Sequence, residues 1–308
     1  MLVAQLTDPH VMPQGVRRRL MGDTLAHLER AVAWINGMNP PVGAVVVTGD
    51  LTDGAQHVEY ARLRGALDRL RPPYYLLPGN HDRGAALREV FAGSGYLPAD
   101  GPIHYAVDRG GVRIVALDTT ARGRAGGFVD DDRLAWLRGA LADSADRATL
   151  LCMHHPPFRT GMHYMDAFGF EGVHALREVV ADHPQVALVV AGHVHRAFAT
   201  QLGATALWTS VSTAPQVVPE VLERRPFWLR FERPGLSLHR WDARLGRFDS
   251  QLFVRRGRDY AQAPKAVTRL SAAQSQPGGI AASARIAAHS SSVTGWTDSR
   301  EPLRSNTM

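Results

Sequence analysis

Residues 44–50 are Ala44-Val45-Val46-Val47-Thr48-Gly49-Asp50, an unbroken apolar run that ends at a glycine and an aspartate. Such a run indicates a strand that is covered on both faces, as in a parallel sheet with helices packed on it. Similar runs occur at residues 2–6, 74–77, 112–117, 149–153 and 186–190, and helical patterns occur at 58–70, 131–141 and 172–181. The alternation of buried strands with helices predicts an α/β fold.

The pattern changes after residue 197. Strand-like runs follow one another without helices at 205–210, 227–231, 236–241 and 252–255, so we expect an antiparallel part that completes a sandwich. Residues 262–308 are rich in Ala, Ser and Gln and contain few large apolar side chains. Because such a segment buries too little surface to fold alone, we expect a folded domain over residues 1–261 and a flexible tail over 262–308.

Composition excludes several classes of protein. The 308 residues are 45% hydrophobic and 21% charged, which is typical of a globular protein. The single cysteine, Cys152, excludes a disulfide framework and a cysteine-rich zinc site. Lys265 is the one lysine among 35 basic residues, and this indicates a coding bias toward arginine. We therefore expect no nucleic-acid partner despite the net charge of +6.

The sequence also predicts a location. No apolar run reaches the length of about 18 residues that a membrane span needs, and no signal-peptide pattern precedes the strand that begins at residue 2. We expect a cytoplasmic protein without a membrane partner. The sequence is compatible with either a monomer or a homo-oligomer.

Side chains of metal-ligand type follow the predicted strands, at the edge where open α/β sheets bind their ligands. They fall in five segments: Asp8 and His10, Asp50, Asn80 and His81, His154 and His155, and His193 and His195. Residues two apart in an extended segment point to the same side, so we expect each of the pairs Asp8/His10 and His193/His195 to face one pocket. Taken singly, each segment also fits a turn, a helix cap or a buried imidazole. Five segments in one order favour a metal site.

Four other histidines stand in or at the ends of helical patterns, without partners in motif spacing. We interpret these as solvated or packing side chains: His27, His57, His174 and His183.

The five segments resemble the motifs of the calcineurin-like metallophosphoesterase superfamily. In order they read Asp8-Pro9-His10, Gly49-Asp50, Gly79-Asn80-His81-Asp82, His154-His155-Pro156-Pro157 and Gly192-His193-Val194-His195. The resemblance covers residues 1 to about 200 and is nearest to bacterial class III cyclic-nucleotide phosphodiesterases and the related glycerophosphodiesterases. It implies a four-layer α/β/β/α sandwich with a strand-rich C-terminal part, in which residues 1–261 are the catalytic domain.

The resemblance further implies two metal ions. One would be held by Asp8, His10, Asp50 and His195, and the other by Asp50, Asn80, His154 and His193, with the Asp50 carboxylate bridging them. These donors suit iron, manganese, cobalt or zinc. Residue 53 is an aspartate, where the coloured purple acid phosphatases carry a tyrosine, so no tyrosinate–iron(III) site is expected.

Three residues next to the implied ligands have implied or open roles. By the resemblance His81 is not a ligand but orients the phosphate and protonates the leaving oxygen. Asp82 would either fix the ring of His81 or of a neighbouring imidazole, or act as a turn residue. His155 would pack behind its loop or orient it.

The implied function is hydrolysis of a small phosphodiester by a metal-activated water, the substrate being a 3′,5′- or 2′,3′-cyclic nucleotide or a glycerophosphodiester. One alternative is a phosphomonoesterase or phosphatase on the same fold. Another is a catalytically inactive scaffold, which the complete ligand set disfavours. We expect the loops 11–21, 119–127 and 158–170, with their arginines and aromatic residues, to set the substrate.

Overall fold

The computed structural model describes residues 1–15, 22–219, 228–230 and 232–254, in which helices and strands alternate. The helices are α1 (Thr24–Asn36), α2 (His57–Leu67), α3 (Gly84–Val90), α4 (Asp131–Ala142), α5 (His163–Asp166) and α6 (Val173–Ala181). The strands are β1 (Leu2–Leu6), β2 (Ala44–Thr48), β3 (Tyr74–Leu77), β4 (Tyr105–Arg109), β5 (Val112–Ala116), β6 (Gly127–Phe128), β7 (Thr149–Cys152), β8 (Phe170–Glu171), β9 (Val186–Ala191), β10 (Phe198–Leu202), β11 (Thr205–Thr209), β12 (Gln216–Val217), β13 (Leu229–Arg230), β14 (Leu236–Asp242) and β15 (Arg247–Phe253).

Two large sheets form the centre of the fold. The first has the strand order β15-β14-β1-β2-β3, and the second has the order β10-β11-β9-β7-β5-β4. Strands β1, β2 and β3 are parallel, and so are β5, β7, β9 and β11. Antiparallel strands complete both sheets, namely β14 and β15 in the first and β4 and β10 in the second.

The sheets pack against each other and carry helices on their outer faces. Ile114 and Leu150, on one face of the second sheet, belong to the core that also contains the first sheet together with α1 and α2. Their neighbours Val115 and Leu151 belong to the core formed with α4 and α6. Since successive residues of a strand point to opposite faces, this division gives the order helix, sheet, sheet, helix. The predicted α/β/β/α sandwich is confirmed.

Helix α1 was not among the predicted helices. The Asp23 side chain accepts a hydrogen bond from the N–H of Ala26 (3.0 Å) and caps its first turn. Leu28, Ala31 and Ile35 are buried at helical spacing. The helix therefore has an ordinary amphipathic pattern that the sequence analysis overlooked.

The strand-rich C-terminal part extends both sheets. Strands β11 and β14 fall where strands were predicted, and the strand predicted at 252–255 overlaps only the end of β15, which begins earlier, at Arg247. Residues 255–308, including the predicted tail, lie outside the described residues, as do Arg17, Arg18 and Arg19. Within the described residues, no helix has the length and apolarity needed to cross a bilayer. The cytoplasmic location stays a prediction.

The carboxyl ends of β1, β2, β3, β7 and β9 meet at one edge of the sandwich. Directly beneath that edge, the buried Gln5 side chain joins the two sheets: its Nε2 donates to Oγ1 of Thr48 (3.0 Å) and to the carbonyl of Ala191 (2.9 Å). The loops that follow these strands are therefore held close together.

Candidate metal centre

All seven predicted metal ligands meet at this edge. Three groups of residues each offer ligand atoms within 4.8 Å of one another: Asp8, His10 and His195; Asp8, Asp50 and His154; and His154, His155 and His193. Asn80 joins them, since its Oδ1 lies 3.2 Å from Nε2 of His154. The structure brings the predicted ligands to one place, and metal binding by each of them stays a prediction.

Asp50 lies between two sets of imidazoles. Its Oδ1 is 3.4 Å from Nε2 of His154, and its Oδ2 is 3.7 Å from Nε2 of His10. Nε2 of His10 is in turn 3.2 Å from Nε2 of His195, which lies 3.4 Å from Oδ1 of Asp8. The two Asp50 oxygens thus face different imidazoles, as a carboxylate shared by two cations would require.

Backbone carbonyls fix the orientation of two of these imidazoles. Nδ1 of His154 donates to the carbonyl of Thr48 (2.8 Å), and Nδ1 of His195 donates to the carbonyl of Pro215 (2.7 Å). Because a carbonyl only accepts, Nδ1 carries the hydrogen and Nε2 points into the cluster. Metal-binding histidines are held in the same way by hydrogen bonds from their other ring nitrogen.

The cluster also contains buried nitrogens without a partner. Nδ1 of His10, Nε2 of His155 and Nε2 of His193 have no hydrogen-bond partner among the described residues. Buried polar atoms are nearly always paired in folded proteins, because an unpaired one loses its hydration without compensation. Imidazole nitrogens together with carboxylate and amide oxygens suit divalent transition metals. The residues therefore fit a centre that holds two cations.

Burial and mutual charge set the ionisation of the cluster. Burial opposes the charge on Asp50, but the charge and hydrogen bond of His154 prevail and hold the pKa of Asp50 well below its usual range. Burial also opposes the charge on His154, yet Asp50 raises the pKa of His154 to about 9. For His193, burial and the charge of His154 lower the pKa to about 3. The buried carboxylates depend on nearby positive charge, which cations supply.

Five of the seven predicted ligands have left-handed backbone conformations. Their φ angles are positive: Asp8 (49°), His10 (42°), Asp50 (46°), His193 (68°) and His195 (52°). The expectation of an extended backbone at these residues was therefore wrong. Asp8 and His10 nevertheless share one group of ligand atoms, whereas His193 and His195 belong to different groups. A positive φ costs a residue with a side chain roughly 1–3 kcal/mol and is concentrated at functional sites.

Gly192 allows the loop that carries His193 and His195 to approach the first sheet. A Cβ at this position would lie 2.8 Å from Oδ2 of Asp8 and closer still to Oγ1 of Thr7. Oγ1 of Thr7 itself donates to Oδ2 of Asp8 (2.6 Å). A side chain larger than hydrogen has no room here.

We expect Gly192→Ala to displace this loop, to lower the free energy of unfolding by about 1–3 kcal/mol, and to reduce kcat/KM by about 10²-fold. Thermal unfolding and turnover of a phosphodiester measure the two effects. Gly139→Ala is the control, because a Cβ there meets nothing within 4 Å and Gly139 lies within α4. An unchanged kcat/KM in Gly192→Ala would contradict the close approach of the two loops.

Asp82 holds the loop after β2 against the loop after β3. Its carboxylate accepts hydrogen bonds from the N–H of Leu51 and of Gly79 and from the hydroxyl of Tyr60, all at 2.9 Å. Among the described residues no imidazole donates to it, so of the two alternatives that the sequence left open, the structure favours the turn residue. Burial and the charge of Asp50 raise the pKa of Asp82 to about 6. Asp82 is thus a turn residue that also joins the loop after β2 to the loop after β3.

His81 lies at the exposed rim of the cluster. Its N–H donates to Oδ1 of Asp50 (2.9 Å), and its Nδ1 donates to the carbonyl of Asp53 (3.1 Å). Its ring meets the ring of His10 edge-on at 4.8 Å. His81 also forms, with His10 and Asp53, a group whose ligand atoms lie within 4.8 Å of one another.

Two residues that support the site, Asp53 and Thr119, were not among the predicted site residues. Asp53, whose Oδ1 is 3.7 Å from Nδ1 of His10, lies behind that ring and was considered only as the replacement of a tyrosine. Thr119 binds Nδ1 of His155 through its hydroxyl (2.8 Å). Thr119 directly follows a strand end, as the ligands do, and that position was the available signal. His155 is buried beside His193 (ring centroids 4.8 Å), which fits the expected packing role.

Two cavities include candidate site residues in their walls, and their walls share no residue. One of about 330 Å³ includes His155 and His193 in its wall, with Phe158, Met165 and Phe170. The other, of about 1010 Å³, includes Asn80, His81 and residues of the 119–127 loop in its wall. The predicted substrate loops 119–127 and 158–170 therefore line cavities that reach the candidate ligands.

The four histidines interpreted as solvated or packing side chains lie outside the groups of candidate ligand atoms. Nδ1 of His27 donates to the carbonyl of Thr213 (3.2 Å), and Nδ1 of His183 donates to that of Val179 (2.6 Å). His57 and His174 are exposed and pair with glutamates. The structure is consistent with that interpretation.

Comparisons with known proteins add independent findings. The model of the calcineurin-like phosphoesterase family matches residues 1–197. A glycerophosphodiester phosphodiesterase of Enterobacter lignolyticus is 32% identical over 78% of this chain and 87% of its own. A 3′,5′-cyclic adenosine monophosphate phosphodiesterase of Pseudomonas aeruginosa is 32% identical over 71% of this chain and 78% of its own. The crystal structure of a dimetal phosphatase from Danio rerio, 13% identical, matches 82% of this chain and 98% of its own with a TM-score of 0.54, a likeness of fold alone.

Proposed function

This chain belongs to the calcineurin-like phosphoesterase family, and we propose that it is a phosphodiesterase with a binuclear metal centre. The observation that carries the proposal is the placement of Asp50, whose two oxygens face His154 and His10. Nε2 of His193, a proposed ligand atom that is buried without a hydrogen-bond partner among the described residues, supports it further.

We propose the ligand assignment that the resemblance implies, and the observed contacts support it. One cation would be held by Asp8, His10, Asp50 and His195, and the other by Asp50, Asn80, His154 and His193. When bound, two such cations neutralise a phosphodiester and lower the pKa of a water toward neutrality. The mixed oxygen and nitrogen donors suit iron, manganese, cobalt or zinc.

His81 is the residue that we propose to act on the leaving group. The hydrogen bond from Nδ1 to the carbonyl of Asp53 orients the ring, so that Nε2 faces away from that loop. The N–H of His81 binds Asp50, so the ring keeps a fixed position next to the centre. A proton donated from Nε2 to the departing oxygen avoids the expulsion of a strongly basic alkoxide.

We propose a small phosphodiester as the substrate, either a glycerophosphodiester or a 3′,5′- or 2′,3′-cyclic nucleotide. The names of the two relatives support this range. The cavities beside His193 and beside His81 offer separate space for the two sides of a diester. A nucleobase could stack on Phe168, whose ring lies 5.6 Å from that of His193.

We expect diesters to be better substrates than monoesters. After reconstitution with Mn²⁺ or Co²⁺, kcat/KM for bis-p-nitrophenyl phosphate should exceed that for p-nitrophenyl phosphate at least about tenfold, because contacts with a second arm contribute to transition-state binding. The same measurement with glycerophosphoethanolamine, 2′,3′-cyclic AMP and 3′,5′-cyclic AMP identifies the preferred diester.

Chelator-treated protein is the control for this panel, and it should be inactive until metal is restored. The reversed order of the two p-nitrophenyl esters would assign the protein to the phosphomonoesterases. Failure of the metal-loaded protein to hydrolyse any of the esters would assign it to the inactive scaffolds.

We further propose that residues 1–261 form the catalytic domain, that residues 262–308 are a tail outside it, and that the protein acts in the cytoplasm. The candidate ligands end at His195, and the last strand of the first sheet ends at Phe253, which supports the boundary.

A further inference from the structure

The cavity of about 1010 Å³ beside Asn80 and His81 also has arginines in its wall, namely Arg83, Arg122 and Arg124. We propose that Arg83 and Arg122 bind a second anionic group, a carboxylate or a phosphate, carried on one arm of the phosphodiester. The inference rests on the proposed function and specifies the chemical class of the substrate.

The other charged side chains of this wall are already engaged. Arg124 forms an ion pair with Glu171 and lies over the ring of Phe128, 5.5 Å from its centroid. The Asp82 carboxylate accepts hydrogen bonds from backbone N–H groups, and the Asp53 carboxylate lies beside His10. Glu171 neutralises the charge of Arg124. The Asp53 side chain is buried, and among the described residues no ion pair joins Asp53 or Asp82 to Arg83 or Arg122.

Arg83 and Arg122 differ from them. Both side chains are exposed, and no described residue forms an ion pair or a hydrogen bond with either guanidinium. The N–H of Arg83 donates to the hydroxyl of Tyr60 (2.9 Å), so its backbone is held in place while its side chain is available. An anion that enters the cavity meets two available guanidinium groups.

The loop that carries Arg122 is also held in place. Nη2 of Arg133 donates to the carbonyl of Thr120 (3.1 Å), and the N–H of Arg124 donates to the carbonyl of Ala121 (3.1 Å). Arg122 is therefore presented from a fixed turn, which limits the entropy that anion binding costs.

Arginine is suited to this task because its planar fork of N–H donors matches a carboxylate or phosphate. A plain phosphodiester has one negative charge, which the cations would neutralise, and that leaves both arginines without a counterion. A diester with a second anionic group supplies that counterion. The preference should weaken with salt, because exposed charges are screened.

The test compares two diesters that differ in the arm that leaves beside His81, methyl 4-carboxyphenyl phosphate and methyl 4-carbamoylphenyl phosphate, whose leaving groups have similar basicity. We expect kcat/KM of the metal-loaded protein to favour the carboxylate about tenfold, the effect of one charge-assisted hydrogen bond. The ratio should fall toward one in the double variant Arg83→Gln/Arg122→Gln and in 1 M NaCl. Arg138→Gln, at an exposed position of α4 outside this cavity, should keep the full ratio.

A binding measurement complements turnover. 3-Phosphoglycerate and glycerol 3-phosphate differ in a carboxylate, and the first should be the stronger competitive inhibitor of the unaltered protein but not of the double variant. A ratio near one in the unaltered protein, or an equal loss on both diesters in the double variant, would overturn the inference. Absence of hydrolysis of either diester by the metal-loaded protein would instead contradict the proposed function.

Discussion

Asp50→Asn is expected to lower kcat/KM for bis-p-nitrophenyl phosphate by more than about 10³-fold, and to reduce the metal content of the purified protein from two ions per chain. Removal of a single electrostatic stabiliser costs about 10²–10³-fold. Asp50 faces His154 with one oxygen and His10 with the other, so its neutralisation weakens both proposed sites. Elemental analysis and steady-state kinetics measure the two effects.

The matched control is Asp132→Asn, which removes an equal charge from an exposed position in the first turn of α4. It should retain both the activity and the metal. Circular dichroism shows whether the Asp50 variant is folded. Full activity in a folded Asp50→Asn protein, or two tightly held ions, would rule out a bridging role for this carboxylate.

His81→Ala should keep its metal and lose turnover. For alkyl or ribose esters kcat should fall by about 10²–10⁴-fold, the usual contribution of a general acid. For p-nitrophenyl esters the loss should be smaller, because a leaving group of low pKa needs little protonation. A larger loss of kcat on alkyl or ribose esters than on p-nitrophenyl esters distinguishes proton donation by His81 from positioning of the phosphate.

Asn80→Ala is the contrasting variant on the same turn. The Asn80 amide oxygen is a neutral donor 3.2 Å from Nε2 of His154, so its loss should raise the metal concentration needed for activity. If His81→Ala lost equal activity on both classes of ester, His81 would only position the phosphate. Loss of metal from His81→Ala would make His81 a ligand, as its proximity to His10 and Asp53 permits.

The strands and the order of the candidate ligands were predictable because they depend on local sequence. Short apolar runs bounded by Gly or Pro predict buried strands, and β3 spans the predicted residues 74–77. Polar residues directly after such runs must lie at the carboxyl edge of the sheet. The positions of Asp50 and His154 follow from this alone.

The orientation of the ligands was not predictable in the same way. It depends on contacts between segments far apart in the chain: the carbonyl that orients His154 belongs to Thr48, 106 residues away. The left-handed backbone at His193 and His195 is likewise imposed by the packing of loops, since neither residue type requires it. No local pattern contains that information.

The partners of Asp82 were unpredictable for a related reason. Its proximity to His81 in the sequence made an imidazole partner one of two open alternatives, beside a turn residue. The fold instead surrounds its carboxylate with donors from Leu51 and Tyr60, which lie in another loop and in α2. A buried carboxylate takes whichever donors the tertiary structure supplies, because leaving it unpaired is costly.

The central position of β1 has a consequence for synthesis of the chain. Its neighbour β2 emerges from the ribosome early, but its other neighbour, β14, exists only after residue 242 has been added. Through most of translation β1 therefore presents a row of unpaired N–H and C=O groups beside side chains that the finished protein buries. An open edge of this kind readily pairs with another chain. We therefore expect pairing with other chains to be favoured in the interval before β14 is synthesised.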